Sequence, residues 1–587
     1  MKRKYPELYL WRAMREQRWE LTGAAVLGFI ASACAVALLG TAGWLIATAA
    51  GAPPVLTLTV AAVMVRAFAL GRAVFRYLER LAGHDAAFRG LVGLRVAVYE
   101  QFERLSPAGI SSFGRGDLLT RLVADVDTAV DLPLRLVLPW AQSLLVILGA
   151  GVFFWWLLPS LAALFVVLGV IALALIPLVV SLNTSRSETR LAPKRAELAS
   201  ALVVAFSAVA DINAYGANEQ ALSRIYKIDE ELTALGRKTA AGLALGGALM
   251  TAIQGAAVIG VMWLVVPKIT EGVIDPVWIA VAALLPLAIF DVLAPLPNSA
   301  AALHRVRASA ERIESLTHLP TPVAEPVQPQ QISPGFTGLV VRELSSSWPG
   351  STRPALRNVS FTLQAGQHLY IVGPSGSGKS TLANVLMGFT NYSGSVLVNG
   401  VELADVDHDE IRHRIGWLAQ QAHIFDTTIQ ENIVLGRAEI MSETVAAALT
   451  GAQLDEMLSR LPSGSKSKVG AFGSSVSGGE AQRIALARLT VDPRPLVILD
   501  EPLEHLDSET AQAVENVLSQ QLSQSALITI THHLLSIPDD SVVLELHDGC
   551  VVSTGTCLEI RSKTGWFQEQ WQAQFEIGQF ARTQTRG

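Results

Sequence analysis

The chain has only three cysteines among 587 residues, Cys34, Cys550 and Cys557, so neither a disulfide framework nor a cysteine-ligated zinc site fits it. Charged residues are also scarce, at 16%, which is low for a soluble protein of this length. The net charge of −6 includes no basic block outside the flanks of apolar runs, which removes the usual grounds for a nucleic-acid partner. The start, Met1-Lys-Arg-Lys4, leads through Arg12, Arg15 and Arg18 into a long apolar run. It lacks a short apolar core followed by small residues for cleavage, and the expectation is a retained first span.

What is abundant is apolar surface: 51% of residues are hydrophobic, most of them before residue 300. Six runs, near 20–48, 55–80, 134–157, 159–182, 241–267 and 276–298, each reach the roughly 20 residues that a helix needs to cross a bilayer. Basic residues collect after the second, fourth and sixth runs: Arg80, Arg89 and Arg95, then Arg186, Arg190, Lys194 and Arg195, then Arg305, Arg307 and Arg312. The segments Gly51-Ala-Pro-Pro54 and Leu158-Pro-Ser160 carry no charge, so the positive-inside bias puts both termini in the cytoplasm. The connections after runs two and four are about 50 residues long with helical periodicity, which predicts helices continuing well beyond the membrane. Pro320, Pro322, Pro326, Pro329 and Pro334 mark a semi-extended linker.

The expected organisation is a multi-domain chain: an elbow at 1–19, an all-α six-helix transmembrane domain at 20–315, a linker at 316–337, a cytoplasmic α/β domain at 338–575 and a tail at 576–587. Within the α/β part, Gly373-Pro-Ser-Gly-Ser-Gly-Lys-Ser380 joins a strand-like run, His368 to Val372, to a helix-like run from Thr381. Such a turn, here Gly373, Pro374, Ser375, Gly376, Ser377 and Gly378, presents backbone N–H groups to phosphates, with Lys379 on the terminal phosphates, Ser380 on Mg²⁺ and Thr381 opening the helix. About 120 residues on, the apolar run Leu496-Val-Ile-Leu499 ends in Asp500 and Glu501. A lone Asp-Glu pair would read as an ordinary solvated loop. After a phosphate loop, Asp500 suits water-mediated Mg²⁺ binding and Glu501 suits polarising the attacking water in phosphoryl transfer. Between these elements, Val476-Ser-Gly-Gly-Glu480 offers Ser477, Gly478, Gly479 and Glu480 at a helix start, a second anion-binding surface.

In this order, the motifs resemble the ATP-binding cassette (ABC) transporters. The resemblance implies a type I/IV exporter fold, an ATP hydrolase coupled to transport, ATP and Mg²⁺ as cofactors, and Mg²⁺ held through Ser380, Gln420 and Asp500. It also implies that Trp348 stacks on adenine, Gln420 is the Q-loop glutamine, Asp507 belongs to the D-loop and His532 senses the γ-phosphate. His533 is the bland neighbour, since alternation puts one of the two on the active face. Because each ATP lies between one chain's phosphate loop and the other's signature, the active unit implied is a dimer. Glu480 stands where glutamine is commoner, Leu503 where threonine is, and Ala471 where many exporters have glutamate.

In the membrane half, Arg72, Arg76, Arg80 and His84 follow one another at i, i+4 spacing, a drifting stripe on one helix. Anchoring at the membrane edge is the plain reading; a cavity-facing stripe is the functional one. The segment from Arg76 to Arg89, with Gly43-Trp-Leu-Ile46, Ser106-Pro-Ala-Gly109 and the signature, resembles the CydC halves of the CydDC transporters of cytochrome bd assembly. That resemblance implies a heterodimer with a CydD-like chain in the cytoplasmic membrane. It implies haem, cysteine or glutathione as cargo, haem b being bound by His84 with Arg80 on a propionate. The arginine stripe suits glutathione carboxylates equally well. Two rival readings stay open: an exporter of a lipid, peptide or drug, and a non-transporting membrane ATPase that serves assembly. Asp291, in the sixth run, reads first as a structural partner for an arginine and second as a gate.

Overall fold

The computed structural model describes residues 7–110, 113, 115–351, 353–437, 439–470, 476–504 and 508–584. The chain divides into two compact units, one running to Arg104 and from Ile110 to Leu319, the other formed by Leu105–Gly109 and everything from Pro320 onward.

The first unit holds six long apolar helices: Arg15–Ala50, Val55–Leu105, Gly116–Leu157, Pro159–Ser207, Asn218–Thr270 and Trp278–Thr317. The fifth has 53 residues, a length of roughly 80 Å at 1.5 Å per residue, against a hydrocarbon core of about 30 Å. Such helices must project far beyond the bilayer. The turns at the other end are short. Leu158 alone, in an extended conformation (φ −155°, ψ 121°), separates the third helix from the fourth. Proline at the first helical position of Pro159–Val170 suits the break, because its ring disfavours a helical conformation at the preceding residue. Three wide π-turns, Arg121–Asp125, Leu132–Val137 and Ile171–Leu175, interrupt the third and fourth helices.

The basic residues after the sixth span clamp the bundle. Arg305 bonds Glu188 at 3.1 Å, Arg307 bonds Glu7 at 2.9 Å, and Arg312 reaches Asp125 at 2.7 Å through Nε. Asp125 is 2% exposed and also accepts from Ser309. Asp291, by contrast, is exposed and faces no arginine among the described residues, so its expected role as an ion-pair partner is not met within this chain.

The second unit is built on two sheets. The antiparallel one has the order β2-β1-β4-β5, from β1 (Gly338–Ser346), β2 (Leu356–Gln364), β4 (Tyr392–Val398) and β5 (Val401–Glu402). The other, with β3 (His368–Val372), β6 (Ile415–Leu418), β7 (Leu496–Asp500), β8 (Ala526–Ile530), β9 (Val542–His547) and β10 (Cys550–Thr556), has the order β10-β9-β3-β8-β7-β6. From β9 to β6 its strands run parallel. Every residue of β7 is buried, as strands covered on both faces require. In a parallel sheet the carboxyl ends of all strands share one edge, which is where ligands bind. The segments following β3, β8, β7 and β6 therefore come together although they span more than 150 residues of sequence.

Candidate functional site

At that edge lies a cleft of about 360 Å³ lined by Trp348, Ser375, Lys379, Gln420, Asp500, Glu501 and His532, among others. The turn after β3 needs its glycines. Gly373 and Gly378 have φ of +145° and +100°, and a Cβ on either would stand 2.0 Å from the Leu546 carbonyl oxygen or 2.6 Å from that of Ala355. Only glycine lets the backbone make this passage. Gly378 then caps the helix Lys379–Leu386, whose first N–H groups are left for an anion. The Lys379 ammonium donates to the carbonyls of Gly373 and Pro374 at 2.8 and 2.9 Å, and burial lowers its pKa. The Ser380 hydroxyl lies 3.3 Å from Asp500 Oδ2, so hard oxygen donors suited to Mg²⁺ converge with the phosphate turn. Trp348 is half-buried at the rim and donates from its indole N–H to the Thr381 hydroxyl at 3.2 Å.

Glu501 is the hub. It takes a left-handed backbone conformation (φ +53°), and its N–H donates to the Ile530 carbonyl at 2.9 Å. Its carboxylate meets His532 Nε2 at 2.8 Å and Gln420 Nε2 at 3.3 Å. Burial, then a hydrogen bond and charge from Glu504, push its pKa up to about 7, the range in which a general base works best. Burial and the Lys379 charge lower the pKa of His532, so near neutrality the imidazole is uncharged and donates from Nε2. His533 is not part of the cleft lining.

Two participants escape sequence reasoning. Glu504 accepts from Gln420 at 3.0 Å and adds a second carboxyl beside Glu501. The buried amide of Gln482 donates to the Glu501 carbonyl at 2.8 Å, and so ties the signature helix to the residue it flanks. The signal for Glu504 is its spacing of three from Glu501 on the same turn; for Gln482 there is none short of the fold.

The signature helix Gly478–Thr490 starts with a capping box: Ser477 Oγ accepts from the Glu480 N–H at 3.3 Å, and Glu480 Oε2 accepts from the Ser477 N–H at 2.8 Å. Glu480 also pairs with Arg460 at 3.2 Å. Burial alone would raise its pKa, but the bonds from Ser477 and the charges of Arg460 and Arg483 hold it below the ordinary range. Glutamate thus fills the third helical position of the capping box, a place that glutamine can also fill. Ser477 accepts with its oxygen and keeps its own proton to donate. Asp507 and Ala471 lie outside the described residues.

The membrane stripe is divided by the fold. Arg76 is half-buried and turned toward Gln142 Oε1 at 3.4 Å and Glu79 at 3.7 Å, whereas Arg72, Arg80 and His84 are exposed. His84 Nδ1 donates to the Arg80 carbonyl at 2.8 Å, so Nε2 is the ring nitrogen outside that bond. Counting from Val55, Arg72 lies roughly 26 Å along the helix and His84 roughly 44 Å, on either side of the hydrocarbon limit of about 30 Å.

Residues 356–504 match the ABC transporter family and residues 21–287 the ABC transporter transmembrane region. The chain is 28% identical over 563 residues to the glutathione/L-cysteine transport system ATP-binding/permease protein CydC of Escherichia coli, covering 94% of this chain and 97% of that one. It is 30% identical over 540 residues to CydD of Bacillus subtilis, covering 91% and 93%. A bacterial Atm1-family ABC exporter solved with ATP bound superposes with a TM-score of 0.84 over 95% of this chain and 98% of that one, at 22% identity, which establishes the shared fold. The chain thus belongs to the ABC transporters, as an exporter-type half-transporter of the CydC and CydD family.

Proposed function

We propose that this chain pairs with a CydD-like half-transporter in the cytoplasmic membrane, with both termini and the ATPase domain in the cytoplasm, and exports cysteine or glutathione in support of cytochrome bd assembly. The observation carrying this reading is the match to CydC along nearly the whole of both chains, joined to a complete phosphate-loop half-site. In that half-site the turn 373–378 and Lys379 hold the triphosphate. Ser380, Asp500 and Gln420 would hold Mg²⁺, which would offset phosphate charge there. Glu501 accepts the proton of the water that attacks the γ-phosphorus as the bond to ADP breaks, and His532, neutral and bonded to Glu501, orients it. Ser477 to Gly479 complete the partner's site, and Asp507 is assigned to the same interface. The domain limits given above are part of this reading.

The orientation of His84 favours a second cargo. A neutral imidazole whose Nδ1–H is fixed by a carbonyl has its Nε2 poised as an iron ligand, and Arg80, one turn away, suits a propionate. Sealed vesicles carrying the chain with a CydD-like partner separate the readings. ATP-dependent accumulation of labelled cysteine or glutathione supports thiol export; accumulation of haem with a Soret band that disappears in His84→Ala supports the second. If no cargo moves while ATP is hydrolysed, the export reading fails and an assembly ATPase replaces it.

A further inference from the structure

The first, second, third and sixth long helices enclose a cavity of about 480 Å³, within the size range of small-molecule sites. Its wall on the first helix is a single face, with Phe29, Ala33, Val36, Gly40 and Trp44 at spacings of three or four. From Phe29 to Trp44 the helix rises roughly 22 Å. No charged side chain lines the cavity, and its one hydroxyl, on Thr41, is bonded to the carbonyls of Ala37 and Leu38. The charges of an amino acid or a small peptide would find no partner in it.

The two ends differ chemically. Trp44, near the helix end at Ala50, and Trp278, opening the helix Trp278–Leu293, mark one end, and tryptophans favour the membrane–water boundary. Beyond the other end, the first helix continues from Phe29 to Gly28 and the third from Val146 back to Gln142. There a Cβ on Gly28 would stand 2.0 Å from Gln142 Nε2, so the glycine makes room for the amide. Gln142 donates to Glu79 at 3.3 Å, and Glu79, only 8% exposed, balances Arg76. Arg76 is therefore already neutralised. On the second helix Met64 and Phe68 line the cavity, and Arg72 is the next residue on that face. Arg72 is exposed and has no acid beside it among the described residues. An unpaired cation at that depth belongs against a cavity or a ligand.

We propose that this cavity binds an amphiphile with one long apolar chain and an acidic head. The chain lies along the Phe29–Trp44 face, and the head, a carboxylate or a phosphate monoester, pairs with Arg72. The site is distinct from the nucleotide cleft and uses neither His84 nor Arg80, so it stands whichever cargo is moved.

The test uses the full chain in phosphatidylcholine nanodiscs with a photoactivatable palmitate, cross-links being mapped by mass spectrometry. Labelling is expected on the peptides holding Ala33–Trp44 and Met64–Phe68. It should fall about tenfold with the matching alcohol and in Arg72→Gln, the effect of one charge-assisted bond, and return in Arg72→Lys. Ala37→Trp, which fills the cavity, should abolish it. Competition by palmitate alone assigns a carboxylate head; equal competition by lysophosphatidic acid assigns acidic heads in general. Equal labelling by acid and alcohol, or labelling spread evenly over the lipid-facing helices, overturns the proposal. The acid-to-alcohol ratio on the unmodified chain decides the matter even if Ala37→Trp does not fold.

Discussion

The motor and the membrane half use charge in opposite ways. In the motor every charged residue of the cleft has a partner: Glu501 meets His532 and Gln420, Lys379 meets two carbonyls, and Ser380 meets Asp500. In the membrane half, Arg72, Arg80 and Asp291 are exposed with no opposite charge beside them among the described residues, while Arg312 and Arg305 are locked to buried acids. The contrast separates groups whose role is complete within one chain from groups that await something outside it. A charge left unpaired at membrane depth is tolerated where a cavity, a ligand or another chain supplies the missing environment, or where the side chain reaches the membrane surface.

The largest effect that tests this contrast is expected at the hub. Glu501→Gln should lower steady-state ATP hydrolysis by the partnered transporter about a hundredfold or more, while nucleotide binding, which rests on the backbone turn, persists. Hydrolysis within a few fold of the unmodified rate would remove Glu501 from its assigned role.

Next in size is a pair of arginine deletions in the membrane half. Arg312→Ala strands Asp125, 2% exposed, as a buried unpaired charge, a loss of about 3 kcal/mol or more, visible as a lowered thermal midpoint in nanodiscs. Arg80→Ala should shift that midpoint by less than about 0.5 kcal/mol equivalent, as at ordinary surface positions. Equal shifts would erase the distinction between clamp and unpaired stripe.

A subtler change is expected in the pH profile. A base with a pKa of about 7 is active once deprotonated, so the rate should rise through neutrality. Glu504 raises that pKa by hydrogen bonding and by charge, so Glu504→Gln should move the acidic limb to lower pH. The shift is partial because burial, the largest cause, remains. An unmoved or upward-shifted limb would show that Glu504 does not act on Glu501.

The smallest effect is expected in the signature. Glu480→Gln keeps the capping geometry, since either side chain can accept from the Ser477 N–H, and hydrolysis should change less than about twofold. Ser477→Ala removes both the cap acceptor and the free hydroxyl proton, and its loss should exceed that of Glu480→Gln by a wide margin.

Much of the motor was legible because its chemistry is local. The glycines of 373–378, the buried strand ending in Asp500 and Glu501, and the Ser-Gly-Gly start of a helix each state their own backbone geometry. The six apolar runs were legible for the same reason, since a bilayer demands length and composition and little else. The stripe from Arg72 to His84 was visible as spacing, but spacing gives four equivalent positions. Glu79, three residues on, gives Arg76 a local partner that Arg72 lacks, but nothing local shows that Arg76 also turns to Gln142, sixty-six residues away. Gln482 was silent, because its partner is brought near only by the fold, and Glu504 showed only as a spacing of three from Glu501.

Sequence alone determined that a nucleotide-hydrolysing α/β domain follows six membrane spans, because phosphate turns and spans are written in contiguous residues. Tertiary structure decided which charges are spent and which are left over. The parallel order of β3, β8, β7 and β6 gathers distant chain segments around Glu501, and the packing of four helices makes an apolar cavity with Met64 and Phe68 on its second-helix wall. Pairing and enclosure depend on distances through space, and a linear pattern does not contain those distances.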